Sequence, residues 1–112
     1  MSLSYVGLVA AVQLPASVAA QYTCPSSTAV VVKHVVFTNT TAGGVTVTAY
    51  VVPSGGAVGN AAKVLDAFSI TAHTAYVSPE LAGVALNAGD SLQCFAGASA
   101  SISMNASGFK QT

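Results

Sequence analysis

The stretch from Thr28 to Pro53, TAVVVKHVVFTNTTAGGVTVTAYVVP, constrains the fold more than any other part of the chain. Its first half, Ala29 to Thr38, is almost wholly β-branched or aromatic, interrupted only by Lys33 and His34. Its second half alternates, with Val45, Val47, Ala49 and Val51 on one side and Thr46, Thr48 and Tyr50 on the other. A period of two is the mark of a pleated strand with one buried face. Between the halves, Asn39-Thr-Thr-Ala-Gly-Gly44 supplies turn-forming residues, so the pair reads as a hairpin. A lone hairpin is barely stable in water and needs further strands to cover it.

Those strands follow from the rest of the chain. Residues 4–14, SYVGLVAAVQL, read as an opening strand closed by Pro15, which cannot donate to a ladder. Residues 1–20 as a whole are an N-terminal strand or an arm that reaches a neighbour. Val18 to Thr23 is a short extended piece, and Cys24-Pro25-Ser-Ser27 turns into the central stretch. Pro53 to Asn60 is a surface loop. Lys63 to Thr71 fits a strand or a short helix; strand is preferred because the β-rich run continues through Val77. Leu81 to Leu86 is a short strand, and Asn87-Ala-Gly-Asp90 is a tight turn in which Gly89 takes a positive φ. Ser91 to Ala96 and Ser99 to Ala106 alternate well, and the tail from Gly108 is paired at its start and frayed at its end. Turn signals about every 8–12 residues, with no amphipathic helix, point to an antiparallel sandwich or barrel. The expectation is a single all-β domain over residues 1–112, an antiparallel β-sandwich or jelly roll of about eight strands.

Charge is where this chain departs from an ordinary domain. Only 5% of its 112 residues are charged, against about 25% in soluble domains. Lys33, Lys63, Lys110, Asp66, Glu80 and Asp90 are the whole inventory, with His34 and His73 titratable besides. A free monomer so poor in charge is poorly soluble. Either Ser, Thr, Asn and Gly keep its surface wet, or other subunits cover much of it, and the second is the sharper reading. Three unclustered lysines cannot neutralise a phosphate backbone, which argues against nucleic acid. The apolar run Tyr5 to Ala20 is broken by Gln13, Pro15 and Ser17 and is shorter than a ~20-residue membrane span. It has no basic n-region of a signal peptide, so it is read as part of the fold.

No residue pattern supports catalysis. Ser, His and Asp are present, but no serine lies in a G-x-S-x-G elbow. His34 and His73 form no ligand spacing with each other or with Asp66 or Asp90, and they read as one core or interface histidine and one exposed. Asp90 lacks the neighbouring carboxylates of a calcium site. Gly55-Gly56 and Gly59 lack the Lys-Ser/Thr and helix of a phosphate loop. Cys24 and Cys94 either pair or stay reduced; they fit no metal or redox spacing, and two reduced, small hydrophobes is the favoured reading. Lys33, enclosed by valines, snorkels to solvent or pairs across strands or subunits. No enzyme activity, cofactor, metal or small-molecule substrate is expected.

The order of pieces is suggestive: Leu14-Pro15, Gln21-Tyr22-Thr23-Cys24-Pro25, a strand closing on Thr38-Asn39-Thr40, Val52-Pro53-Ser54-Gly55-Gly56, Leu86-Asn-Ala-Gly-Asp90, and a last strand closing on Ser107-Gly108. It resembles small virion proteins of tailed bacteriophages, β-sandwich or jelly-roll proteins that decorate or cement the capsid or form parts of tails and fibres. The resemblance implies an oligomer on the capsid exterior, assembled in the host bacterial cytoplasm, with the major capsid protein and copies of itself as partners. Tyr5, Val6, Leu8, Val9 and Val12 are the candidate inter-subunit contacts. The alternative is a tail or fibre component, or a receptor- or carbohydrate-binding module. That reading wants aromatic residues on loops, and the loop from Pro53 to Asn60 contains none.

Overall fold

Alternation determines where strands form, and the computed structural model, which describes residues 3–112, carries nine of them. In chain order they are β1 (Leu3–Gln13), β2 (Ala19–Thr23), β3 (Ala29–Asn39), β4 (Val45–Val52), β5 (Lys63–Ile70), β6 (Ala75–Val77), β7 (Ala85–Leu86), β8 (Ser91–Ala96) and β9 (Ile102–Gln111). A single 3₁₀ turn, Asn60–Ala62, precedes β5. The first residues of the expected N-terminal strand or arm, Met1 and Ser2, lie outside the described residues.

Pairing is nested and antiparallel throughout. β1 pairs with β9, β2 with β8, β3 with β6 and β7, and β4 with β5. The chain is thus one long ribbon whose tip is the loop between β4 and β5. Rolling that ribbon brings β9 beside β3 and β8 beside β4. The result is two sheets, ordered β1-β9-β3-β6 (with β7 also on β3) and β2-β8-β4-β5. This connectivity is the double-sheet jelly roll.

The inner faces supply the core. Val9, Val30, Val32, Val35, Phe37, Ile102 and Met104 project from the first sheet, and Val47, Ala49, Leu65, Leu92, Cys94 and Ala96 from the second. Each fully buried side chain of Val, Leu or Phe size contributes roughly 1.5–3 kcal/mol. At the open side, Phe68 of edge strand β5 stacks on Tyr76 of edge strand β6, with ring centroids 4.2 Å apart. That contact joins the margins of the two sheets.

Three expectations are corrected. The central stretch is not a hairpin: β3 lies in the first sheet and β4 in the second. Asn39 makes the corner. It is fully buried, its Nδ2 donates to the Gly43 and Ile70 carbonyls at 2.8 and 2.9 Å, and its Oδ1 accepts from the Thr41 N–H and hydroxyl. Lys63 to Val77 likewise divides between the sheets, because His73 takes φ 54° and Thr74 N–H turns back onto the Thr71 carbonyl. The tail from Gly108 is paired at its start, as expected, but the pairing continues almost to its end. β9 runs to Gln111 between β1 and β3, and Gly108 packs closely on β3: a Cβ there would collide with the Val31 carbonyl oxygen.

Candidate interaction surface

Register across the first sheet aligns an apolar row on its outer face. Tyr5 of β1 lies opposite Phe109 of β9, which lies opposite Val31 of β3, which lies opposite Ala85 of β7. Tyr5 is 55% exposed, Phe109 37% and Val31 40%, and Leu3, one pleat away, is 65% exposed. The Tyr5 and Phe109 rings meet edge to face at 5.1 Å, and the Tyr5 hydroxyl bonds the Ser107 hydroxyl at 2.8 Å. Such pairing holds both rings against the sheet and fixes the shape of the row. None of the four row positions carries a formal charge at neutral pH.

Of the residues expected at a contact, Tyr5 is the one fully on this face. Val6, Leu8 and Val12 are half-buried, and Leu8 and Val12 pack against the core. Val9 is only 4% exposed and belongs to the molecule's own core, so in this fold it presents no side chain to a neighbour. The segment read as a first strand or an arm is a strand, paired with β9 from Leu3 to Gln13 with two register shifts. Phe109 and Val31 were missed, although alternation carries the signal for Phe109. It shares its face with Ser103, Asn105 and Ser107, while Met104 and Ala106 point inward.

A β-bulge places Lys33 and His34 side by side in solvent, because the register with β9 shifts between Val32 and His34. A lysine among valines reaches water in this way. His73 is exposed as well, so neither histidine is in the core. His34 borders an open depression of about 240 Å³ with Gly7, Val9, Ala10 and Asn105. A second depression, on β5, is lined by Asn60, Lys63 and Asp66, where Lys63 and Asp66 form a 3.1 Å ion pair and Lys63 Nζ lies 5.7 Å from the Tyr50 ring centre. At this exposure the ion pair adds little. Among the described residues no group of three or more His, Cys, Asp or Glu is placed to hold a metal ion.

The remaining polar groups are occupied in holding loops. Asp90 accepts from Ser54 N–H and Asn87 N–H at 2.9 Å each, tying the tip loop to the β7–β8 turn, where Gly89 takes φ 88° as expected. Tyr76 donates to the Glu80 carboxylate at 2.7 Å, and Ser78 donates to it at 3.0 Å. Burial, with the Glu80 bond and charge added, pushes the Tyr76 phenol up to about 12, and the Tyr76 bond holds the Glu80 carboxyl below its ordinary range. Cys24 and Cys94 are buried and unpaired. Burial pushes the Cys94 thiol up to about 12 and raises Cys24, whose Sγ contacts the Thr28 and Leu86 carbonyls. These are packing thiols, not activated ones.

Fold and surface together define an antiparallel jelly-roll domain whose most distinctive exposed feature is an uncharged aromatic and aliphatic row. Comparison with known proteins finds no matching family model, no similar curated protein and no similar solved structure.

Proposed function

We propose that this protein is a structural component of a bacteriophage virion, decorating the capsid and stabilising the assembled shell as an oligomer. The observation that carries the reading is the outer face of the first sheet. There a chain with 5% charged residues spends its exposed area on Tyr5, Phe109, Val31 and Leu3. A protein that lives covered by neighbours tolerates such a face, and apolar burial supplies the association energy. Binding the assembled lattice in preference to free capsid subunits stabilises the shell by mass action.

Calorimetry of expanded shells, with and without the protein, tests this directly. The reading expects the shell transition to move to higher temperature as the protein is added, saturating at a fixed ratio. An unmoved transition, together with adsorption of the protein to host cells or tails, would replace it with the tail, fibre or receptor-binding alternative.

A further inference from the structure

Sheet edges expose unpaired backbone N–H and C=O groups, and proteins blunt them with bulges, charges or short strands. Three of the four edges here are blunted. β6 has three residues, β2 has five with a register shift, and β5 has two shifts together with Lys63 and Asp66. β1 differs along its length. From Val9 to Val12 its register with β9 is broken, but Leu3 to Gly7 pairs without a shift and carries no charge. Indeed no residue before Lys33 is charged. The run Leu3-Ser-Tyr-Val-Gly7 is therefore the one straight, undefended edge among the described residues.

We propose that this edge pairs antiparallel with the same edge of a second copy, about a two-fold axis at Tyr5. A self-pairing edge must meet itself isologously, and only an axis at Tyr5 pairs all five unbulged residues. Leu3 then lies opposite the second copy's Gly7, and Tyr5 opposite the second copy's Tyr5. The first sheet runs continuously through both molecules, and the two apolar rows join end to end on one outer face. Tyr5 leans over β9 toward Phe109 and Ser107 and leaves the edge clear. Gly7 has open space where a side chain would be, so the opposing strand meets no obstruction.

This contact deepens the proposed function, since it supplies that reading's oligomer, but its test needs no shells. Failure of shell binding therefore leaves the dimer standing, and failure of the dimer leaves shell binding to be judged separately. Sedimentation equilibrium of the intact chain should show mass rising from 11.0 kDa toward twice that value with concentration. The double variant Leu3→Lys/Gly7→Lys places lysine opposite lysine at both ends and should weaken dimerisation by about tenfold. Leu3→Lys/Gly7→Glu places opposite charges there and should restore it. Both pairs change exposed outer-face positions and leave the core intact. Tyr5→Cys should crosslink to itself under mild oxidation, since directly opposed Cα atoms in an antiparallel pair lie about 4.5–5.5 Å apart. A monomer at every concentration, or equal dimerisation of the two charge variants, overturns the proposal.

Discussion

Replacing Asn39 by Ala tests the corner that sends β3 and β4 into different sheets. The side chain is fully buried and makes four hydrogen bonds, two donated to carbonyls of Gly43 and Ile70 and two accepted from Thr41. The net value of each is about 1 kcal/mol, and a buried partner left unsatisfied costs about 1–3 kcal/mol. The Gly43 carbonyl retains the Thr41 hydroxyl at 3.0 Å, so the heaviest loss falls at Ile70. The sum is about 3 kcal/mol, which for a domain of this size lowers Tm by roughly 12–20 °C. Asn39→Asp keeps the acceptor oxygen but turns a carboxylate on two carbonyls, and should cost at least as much at neutral pH. Thr41→Val, which removes one half-buried hydroxyl shared between Asn39 Oδ1 and the Gly43 carbonyl, should cost about 0.5–1 kcal/mol. Urea unfolding followed by fluorescence and circular dichroism reads all three. An Asn39→Ala protein within about 1 kcal/mol of wild type would refute the reasoning, because the corner would then hold without its polar bracket.

Gly108→Ala should cost about 3 kcal/mol by overpacking, since its Cβ would strike the Val31 carbonyl and lie 3.0 Å from Val32 Cα; Gly7→Ala, with open space around it, should stay within about 1 kcal/mol of wild type. The Tyr76–Glu80 bond predicts a stability profile flat near neutrality. Tyr76 has its pKa raised, so its contribution is complete below pH ~10 and is lost as pH rises toward about 12; Glu80 has its pKa lowered, so its contribution is present above pH ~4.5 and is lost as pH falls through its folded value. Tyr76→Phe should flatten both limbs in a pH series of thermal melts. Both thiols should resist an aromatic disulfide reagent in the native state and react at once in denaturant; rapid native reaction at Cys94 would contradict its burial.

The strands themselves were largely legible: alternation at Ile102 to Ala106 reports one buried face, whereas at Val45 to Val51 the sequence alternates but Thr48 and Tyr50 are buried as well as Val47 and Ala49. Their partners were not. Asn39-Thr-Thr-Ala-Gly-Gly44 has the composition of a hairpin turn, and only the buried amide of Asn39, reaching Ile70 thirty-one residues away, reveals a corner between sheets. The end of the tail read as frayed because the last few residues of a domain usually are, yet Gly108, Lys110 and Gln111 are held in the sheet. Their place is dictated by β1 and β3 on either side, which no local window contains. The candidate surface shows the same division. Tyr5 was visible from its strand, whereas the row needs Phe109 and Val31, brought beside it by pairings with a strand at the opposite end of the sequence.

The central claim is that the outer face of the first sheet binds the shell, and co-sedimentation with expanded capsids, comparing wild type with Phe109→Ser, tests it most directly. Phe109 is exposed and lies outside the core cluster, so the variant should fold as the wild type does. The account predicts saturable pelleting of the wild type and its loss in the variant. Equal pelleting of the two proteins would place the contact elsewhere on the molecule, and no pelleting of either would contradict the claim outright.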